Sequence, residues 1–108
     1  MSTYRACWNT VAIVLVAIGL MLALLRGIPA YDQALQADPA GHYTLEAARL
    51  TRRIRGTRIG IVGLGRIGTA TAIRAKAFGL EILAYDPYIP RGMEIALGVT
   101  RVETLSDL

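Results

Sequence analysis

Three glycines and one carboxylate carry the chemistry this sequence can do. The hexapeptide Gly63-Leu64-Gly65-Arg66-Ile67-Gly68 directly follows the apolar run Ile59-Gly60-Ile61-Val62, and Asp86 closes a second apolar run, Glu81-Ile82-Leu83-Ala84-Tyr85. Gly63 suits a tight turn. Gly65 has no Cβ to keep a pyrophosphate off the backbone, and Gly68 allows a following helix to lie close on the strand. Asp86 stands eighteen residues after Gly68, near the offset at which a carboxylate accepts hydrogen bonds from ribose hydroxyls. Together these residues read as an anion-binding turn with a ribose-reading carboxylate behind it.

The elements that must position them follow from residue type. Ile59 to Val62 is too short and too β-branched for a helix and is expected as a buried parallel strand. From Arg66 the pattern turns helical, with Ile67, Ala70, Ile73, Ala77 and Phe78 assigned to one side and Thr69, Arg74 and Lys76 largely off it. Gly79 supplies a left-handed stop. The free N–H groups of that helix's first turn, with the positive end of its dipole, favour an anion by about 0.3 to 2 kcal/mol. A carboxylate at Asp86 repels a 2′-phosphate, so NAD is expected over NADP. Arg91, five residues further on, is the side chain that would argue the other way. A glycine turn with no ligand is the bland alternative, and the ordered succession of strand, turn, helix, stop, strand and Asp weighs against it.

Several segments resemble one family. Arg53-Ile54-Arg55-Gly56, Ile59 through Gly68, Arg74-Ala75-Lys76-Ala77-Phe78-Gly79, Tyr85-Asp86-Pro87-Tyr88, and Glu94 to Gly98 with Arg101-Val102 look like the cofactor domain of D-isomer-specific 2-hydroxyacid dehydrogenases. The likeness is greatest to the subgroup similar to C-terminal-binding proteins and covers about Ile18 to Leu108. It implies hydride transfer between NAD and a 2-hydroxy or 2-keto acid in a homodimeric protein. Carried over, it places Arg66 and Ile67 at the pyrophosphate, Asp86 at the adenosine ribose, and Tyr85 and Pro87 at the edge of the adenine pocket, with Gly63, Leu64, Gly65 and Gly68 shaping the turn. The family's catalytic Arg, Glu and His fall beyond Leu108, so no catalytic residue is expected here. An NAD-responsive interaction or sensor protein without catalysis, or a membrane-anchored nucleotide-binding module, are the alternatives.

The expected fold is α/β, a doubly wound parallel sheet of Rossmann type, incomplete at about three strands: Ile59 to Val62, Glu81 to Tyr85 and a short one near Val99 to Val102. In a sheet of order 3-2-1-4 the first strand is central, so one of its edges is expected to lack a partner. Residues 1–17 read as a divergent start, 18–56 as an apolar helix and connector belonging to the cofactor domain, and 57–108 as the first part of the nucleotide-binding domain. Val11 to Leu25 carries fifteen residues without a polar side chain. At about 22 Å it is short for a hydrocarbon core of roughly 30 Å. A membrane span and a signal peptide both stay open; the resemblance favours a buried helix, although apolar Leu15 and Val16 stand where that family usually has an acid and a histidine.

The remainder reads as connection. Arg26-Gly27-Ile28-Pro29 breaks or kinks the first helix, Tyr31 to Ala37 forms a short amphipathic piece, and Asp38-Pro39-Ala40-Gly41 is turn chemistry. Leu45 to Leu50 reads as a helical turn. Arg49, Arg52, Arg53, Arg55 and Arg58 supply most of the net charge of +4; without interleaved aromatics they read as a solvated connector rather than a nucleic-acid footprint. His42 lies in that connector, upstream of the first strand. No metal-spaced His and Cys, paired carboxylates or nucleophile motif is present. A single cysteine, Cys7, excludes an internal disulfide and is consistent with a cytoplasmic setting.

Overall fold

The computed structural model describes residues 3–39 and 51–108. His42, Arg49, the turn ending at Ala40 and Gly41, and the helical turn expected at Leu45 to Leu50 lie outside the described residues. The order is α1 (Thr3–Leu25), α2 (Ile28–Ala37), β1 (Arg58–Val62), α3 (Arg66–Ala77), β2 (Glu81–Tyr85), α4 (Met93–Leu97), β3 (Thr100–Arg101) and a closing 3-10 turn (Leu105–Asp107). The strands form one parallel sheet in the order β1-β2-β3, with Arg58 opposite Glu81, Val62 opposite Tyr85, and Ala84 opposite Arg101. This is the 3-2-1 half of the expected arrangement.

Local chemistry explains the boundaries. Gly27, at φ 66, takes the left-handed conformation that separates α1 from α2. α2 starts earlier than Tyr31 because Pro29 falls in its first turn, where a missing N–H costs no intrahelical bond. The connector returns to the end of α1, where the Arg52 N–H donates to the Leu25 carbonyl at 2.9 Å. Gly79, at φ 82, ends the α3 segment as expected, and its carbonyl accepts from the Gly56 N–H. Of the connector arginines, Arg58 pairs with Glu81 at 3.0 Å, and both side chains are well exposed.

α3 lies between the sheet and α1, touching β1 and β2 on one side and α1 on the other. The residues that make this contact differ in part from the expected face: Ala70 packs against the core as expected, but its large companions do not. Ala72 and Ala75 are buried, whereas Ile67, Ile73 and Phe78 are exposed. The reason is distance: α3 sits so close to its neighbours that only small side chains fit between, and the large ones are turned to the flanks. Pattern-reading by hydrophobicity alone selects the large residues and so rotates the helix the wrong way.

β1 also departs from expectation. Only Ile59 and Ile61 pack against the core, while Arg58, Gly60 and Val62 are exposed. Among the described residues β1 is an edge strand covered on one face, so the pattern alternates instead of being buried throughout. α1 is packed on one stripe. Val14 and Ile18 are buried, and Met21, Leu22 and Leu25 continue the same stripe against the core. Its other side carries Leu15, Val16, Leu20 and Leu24 exposed, so the helix is half-packed rather than buried. Residues 5–25 are long and apolar enough to cross a membrane.

Ile18 and Leu20 separate the two faces of α1. Ile18→Ala should cost about 2 to 5 kcal/mol in urea unfolding, whereas Leu20→Ala should stay within about 0.5 kcal/mol of the parent. Equal costs would mean that α1 does not pack on α3 through this stripe.

Candidate functional site

The first glycine begins where β1 ends. Gly63, at φ 92, takes a backbone conformation closed to ordinary side chains, and its N–H donates to the Tyr85 carbonyl at 2.9 Å. The next residue turns inward: Leu64 is buried in the core, while its N–H donates to Asp86 Oδ2 at 2.8 Å. Gly65 then caps α3 in an extended conformation, with its carbonyl accepting from the Thr69 N–H. Thr69 Oγ1 donates to the Leu64 carbonyl at 3.1 Å, which closes the turn from inside.

Gly65 and Gly68 differ in what a side chain would meet. A Cβ on Gly68 would lie 1.9 Å from the Gly63 carbonyl oxygen, so the helix can approach the turn only because this residue has none. A Cβ on Gly65 would have no atom within 4 Å. It would occupy open space in front of a helix whose first turn no side chain caps. The N–H groups and dipole of α3 are thus presented to solvent across a backbone kept bare at Gly65, the arrangement that accepts a phosphate.

Asp86 follows β2 at the same end of the sheet. Its Oδ2 accepts from Leu64 and its Oδ1 accepts from the Tyr88 N–H at 2.9 Å. The Tyr88 and Leu64 N–H groups, followed by the charge of Arg101, hold the carboxyl below the usual aspartate range, with partial desolvation opposing them. Asp86 is therefore ionised and fixed. Each oxygen keeps acceptor capacity for a further hydroxyl.

The structure brings Gly63, Leu64, Gly65, Arg66, Ile67, Gly68 and Asp86 to one end of the parallel sheet. Arg66 and Ile67 open α3 with their side chains exposed, Tyr85 is half-buried at the end of β2, and Pro87 is exposed beyond Asp86. A cleft of about 500 Å³ borders the turn, with Val62, Gly65, Arg66 and Thr71 among its walls. A larger groove, about 830 Å³, runs between α1 and α3 and meets the turn at Leu64, Gly65 and Arg66. The smaller cleft takes in all three glycines of the turn, Gly63, Gly65 and Gly68, whereas the groove touches the turn only at its edge.

Three contributors were not assigned roles from sequence. Tyr88 acts through its backbone N–H, which no side-chain pattern reveals. Among the described residues, the buried hydroxyl of Thr71 and the buried Nε of Arg101 have no hydrogen-bond partner. Arg101 is brought beside the Asp86 loop by the parallel pairing of β3 with β2, a relation the linear sequence does not display.

A bare backbone at Gly65, an uncapped helix N-terminus and a fixed carboxylate are the chemistry that a pyrophosphate and a ribose hydroxyl call for. Comparisons with known proteins agree. Residues 18–108 match the family described as D-isomer specific 2-hydroxyacid dehydrogenase, NAD binding domain. D-3-phosphoglycerate dehydrogenase of Methanocaldococcus jannaschii is 35% identical over 100 residues, covering 93% of this chain and 18% of that protein. C-terminal-binding protein 1 of Caenorhabditis elegans is 47% identical over 57 residues, covering 53% of this chain and 8% of that protein. A phosphoglycerate oxidoreductase from Rhizobium etli superposes with a TM-score of 0.76 at 35% identity, over 88% of this chain and 31% of that one. D-mandelate dehydrogenase of Rhodotorula graminis gives 0.78 at 29% identity, over 91% of this chain and 30% of that one. The chain thus spans less than a third of these relatives, and the likeness lies where the glycine turn and Asp86 stand. It belongs to the D-isomer specific 2-hydroxyacid dehydrogenases, with residues 18–108 in their NAD-binding domain.

Proposed function

We propose that the turn from Gly63 to Gly68 holds the pyrophosphate of NAD, that Asp86 accepts from its adenosine ribose, and that Tyr85 and Pro87 border the adenine. The observation that carries this is the bond from the Leu64 N–H to Asp86 Oδ2, which locks the phosphate turn and the ribose carboxylate into one unit. Arg66 and Ile67 supply N–H groups from the first turn of α3, and Gly65 keeps the approach clear. In the intact protein, bound NAD would take or give the hydride of a 2-hydroxy or 2-keto acid. Residues of this chain orient the dinucleotide; clamping the substrate and moving its proton belong to side chains outside it. A homodimer working in the cytoplasm completes the proposal.

The cofactor reading predicts that NADH binds more tightly than NADPH when either is titrated by fluorescence, and that Asp86→Ala narrows the gap. Since the carboxyl titrates below the ordinary aspartate range, NADH affinity should persist as pH falls through that range and fade only beneath it. Equal affinities for the two dinucleotides in the parent protein would remove the role given to Asp86.

The two glycines should fail differently. Gly65→Val should abolish NADH binding while circular dichroism keeps its helical signal, because the added carbons enter the space left for the ligand. Gly68→Ala should cost about 1 to 3 kcal/mol of stability through collision with the Gly63 carbonyl. Undiminished NADH affinity in the Gly65 variant would leave the turn a purely structural feature.

Hydride transfer needs a clamped substrate carboxylate and a proton donor or acceptor within reach of the reacting oxygen. The 108-residue chain should show no turnover of 2-hydroxy or 2-keto acids above background with saturating NAD or NADH. Turnover that disappears on changing His42 would place the chemistry inside this chain after all.

A further inference from the structure

The fold accounts for one face of α1 and leaves the other bare. Val14 and Ile18 are buried in the core, while Ala12, Val16, Gly19 and Leu20 lie on the opposite side of the helix and are exposed. Trp8 and Leu24 extend this bare surface toward the two ends of α1. From Val11 to Leu25 no side chain is polar, so the surface is continuous rather than a scatter of single apolar residues.

Charge is confined to the ends. Arg5, near the start of α1, and Arg26, directly after its last residue, are both exposed and stand roughly 30 Å apart along the helix axis. The first acidic residue of the chain is Asp32, beyond the helix. A second copy fits this pattern poorly. Two α1 helices laid face to face in register bring Arg5 to Arg26 when antiparallel, or each arginine to its own counterpart when parallel. No acid on either helix offsets that repulsion.

A lipid surface meets every part at once. Anionic head groups take the two guanidinium groups, the ring of Trp8 sits at head-group level, and Val16 and Leu20 enter the acyl boundary. Crossing the bilayer would strip Val14 and Ile18 from the core, whereas lying in its plane keeps them packed.

We propose that the outer face of α1 is a docking surface for an anionic lipid bilayer, with the helix lying in the plane of the interface. Docking is independent of what the glycine turn binds. A homodimer then forms through another surface.

The test floats the purified chain with vesicles of phosphatidylcholine and phosphatidylglycerol, about three to one, and with phosphatidylcholine alone. Trp8 is the only tryptophan, so its emission reports on α1 directly. The chain should float with the mixed vesicles while Trp8 emission moves to shorter wavelength. Leu20→Glu should cut partitioning about tenfold or more with the helical signal in circular dichroism kept. Leu24→Glu repeats the measurement should Leu20→Glu unfold. Arg5→Gln and Arg26→Gln should each cost about fivefold on the mixed vesicles and leave the neutral ones unaffected. Ile95→Glu, which changes a bare apolar side chain on α4, should leave flotation intact. Alkaline carbonate should release the bound chain. Absence of flotation, flotation that the α1 glutamates leave unchanged or that Ile95→Glu abolishes, or retention after carbonate, the mark of a spanning helix, overturns the proposal. So does a shift of Trp8 emission that follows protein concentration without lipid, since a second copy then covers the face.

Discussion

One hydrogen bond organises the site: the Leu64 N–H given to Asp86 Oδ2. It joins the turn after β1 to the end of β2 and fixes both the height of the glycine turn and the direction of the carboxylate. A pyrophosphate and a ribose hydroxyl are rigidly spaced on a dinucleotide, so a site that meets both must hold its own two parts at a constant separation. The bond supplies that constraint before any ligand arrives, which lowers the ordering cost of binding. It also couples their energetics. Removing the carboxylate frees the Leu64 N–H and releases Tyr88 as well as withdrawing the proposed ribose acceptor, so its effect on affinity is a sum that only a mutant cycle can divide.

Close packing sets the second condition. α3 can point its N-terminus across the turn only because Gly68 clears the Gly63 carbonyl and because Ala72 and Ala75 let the helix lie low on the sheet. A larger residue in this row would lift the helix, and its dipole, away from the turn. Small size at these positions is thus what the close approach of α3 to the turn requires. Thr71, in the same helix and on the cleft wall, has a buried hydroxyl with no partner among the described residues. Such a group costs stability where it stands.

Much of this was legible before any coordinates. The glycine turn, both strands flanking α3, the stop at Gly79, the break at Gly27 and the parallel order of the strands follow from residue types whose backbone preferences are strong. The orientation of α3 was not legible, because alanines chosen for proximity carry little hydrophobic signal while Ile67, Ile73 and Phe78 carry much and face outward. Arg101 was hidden for a different reason. Its relation to Asp86 comes from strand pairing, and sequence distance had directed attention to Arg91. The proline at the start of α2 likewise looked like an end when it is a beginning, since Pro29 is equally suited to closing one helix and opening the next.

Hydropathy overstates how much of α1 is packed for a related reason: it measures composition and not faces. Val14 and Ile18 are buried on α3, yet Leu15, Val16, Leu20 and Leu24 are apolar and exposed. β1 presents the same asymmetry, paired with β2 on one side and unpaired on the other among the described residues. The two unpaired features are not equivalent for the site. Val62, at the end of β1, is exposed, forms part of the cleft wall and immediately precedes Gly63. Anything that pairs with the open edge of β1 therefore also reshapes the wall beside the phosphate turn, whereas cover on the outer face of α1 reaches the site only through α3. By linkage, if pairing at the β1 edge changes the affinity of the cleft for a ligand, that ligand changes the pairing by the same free energy.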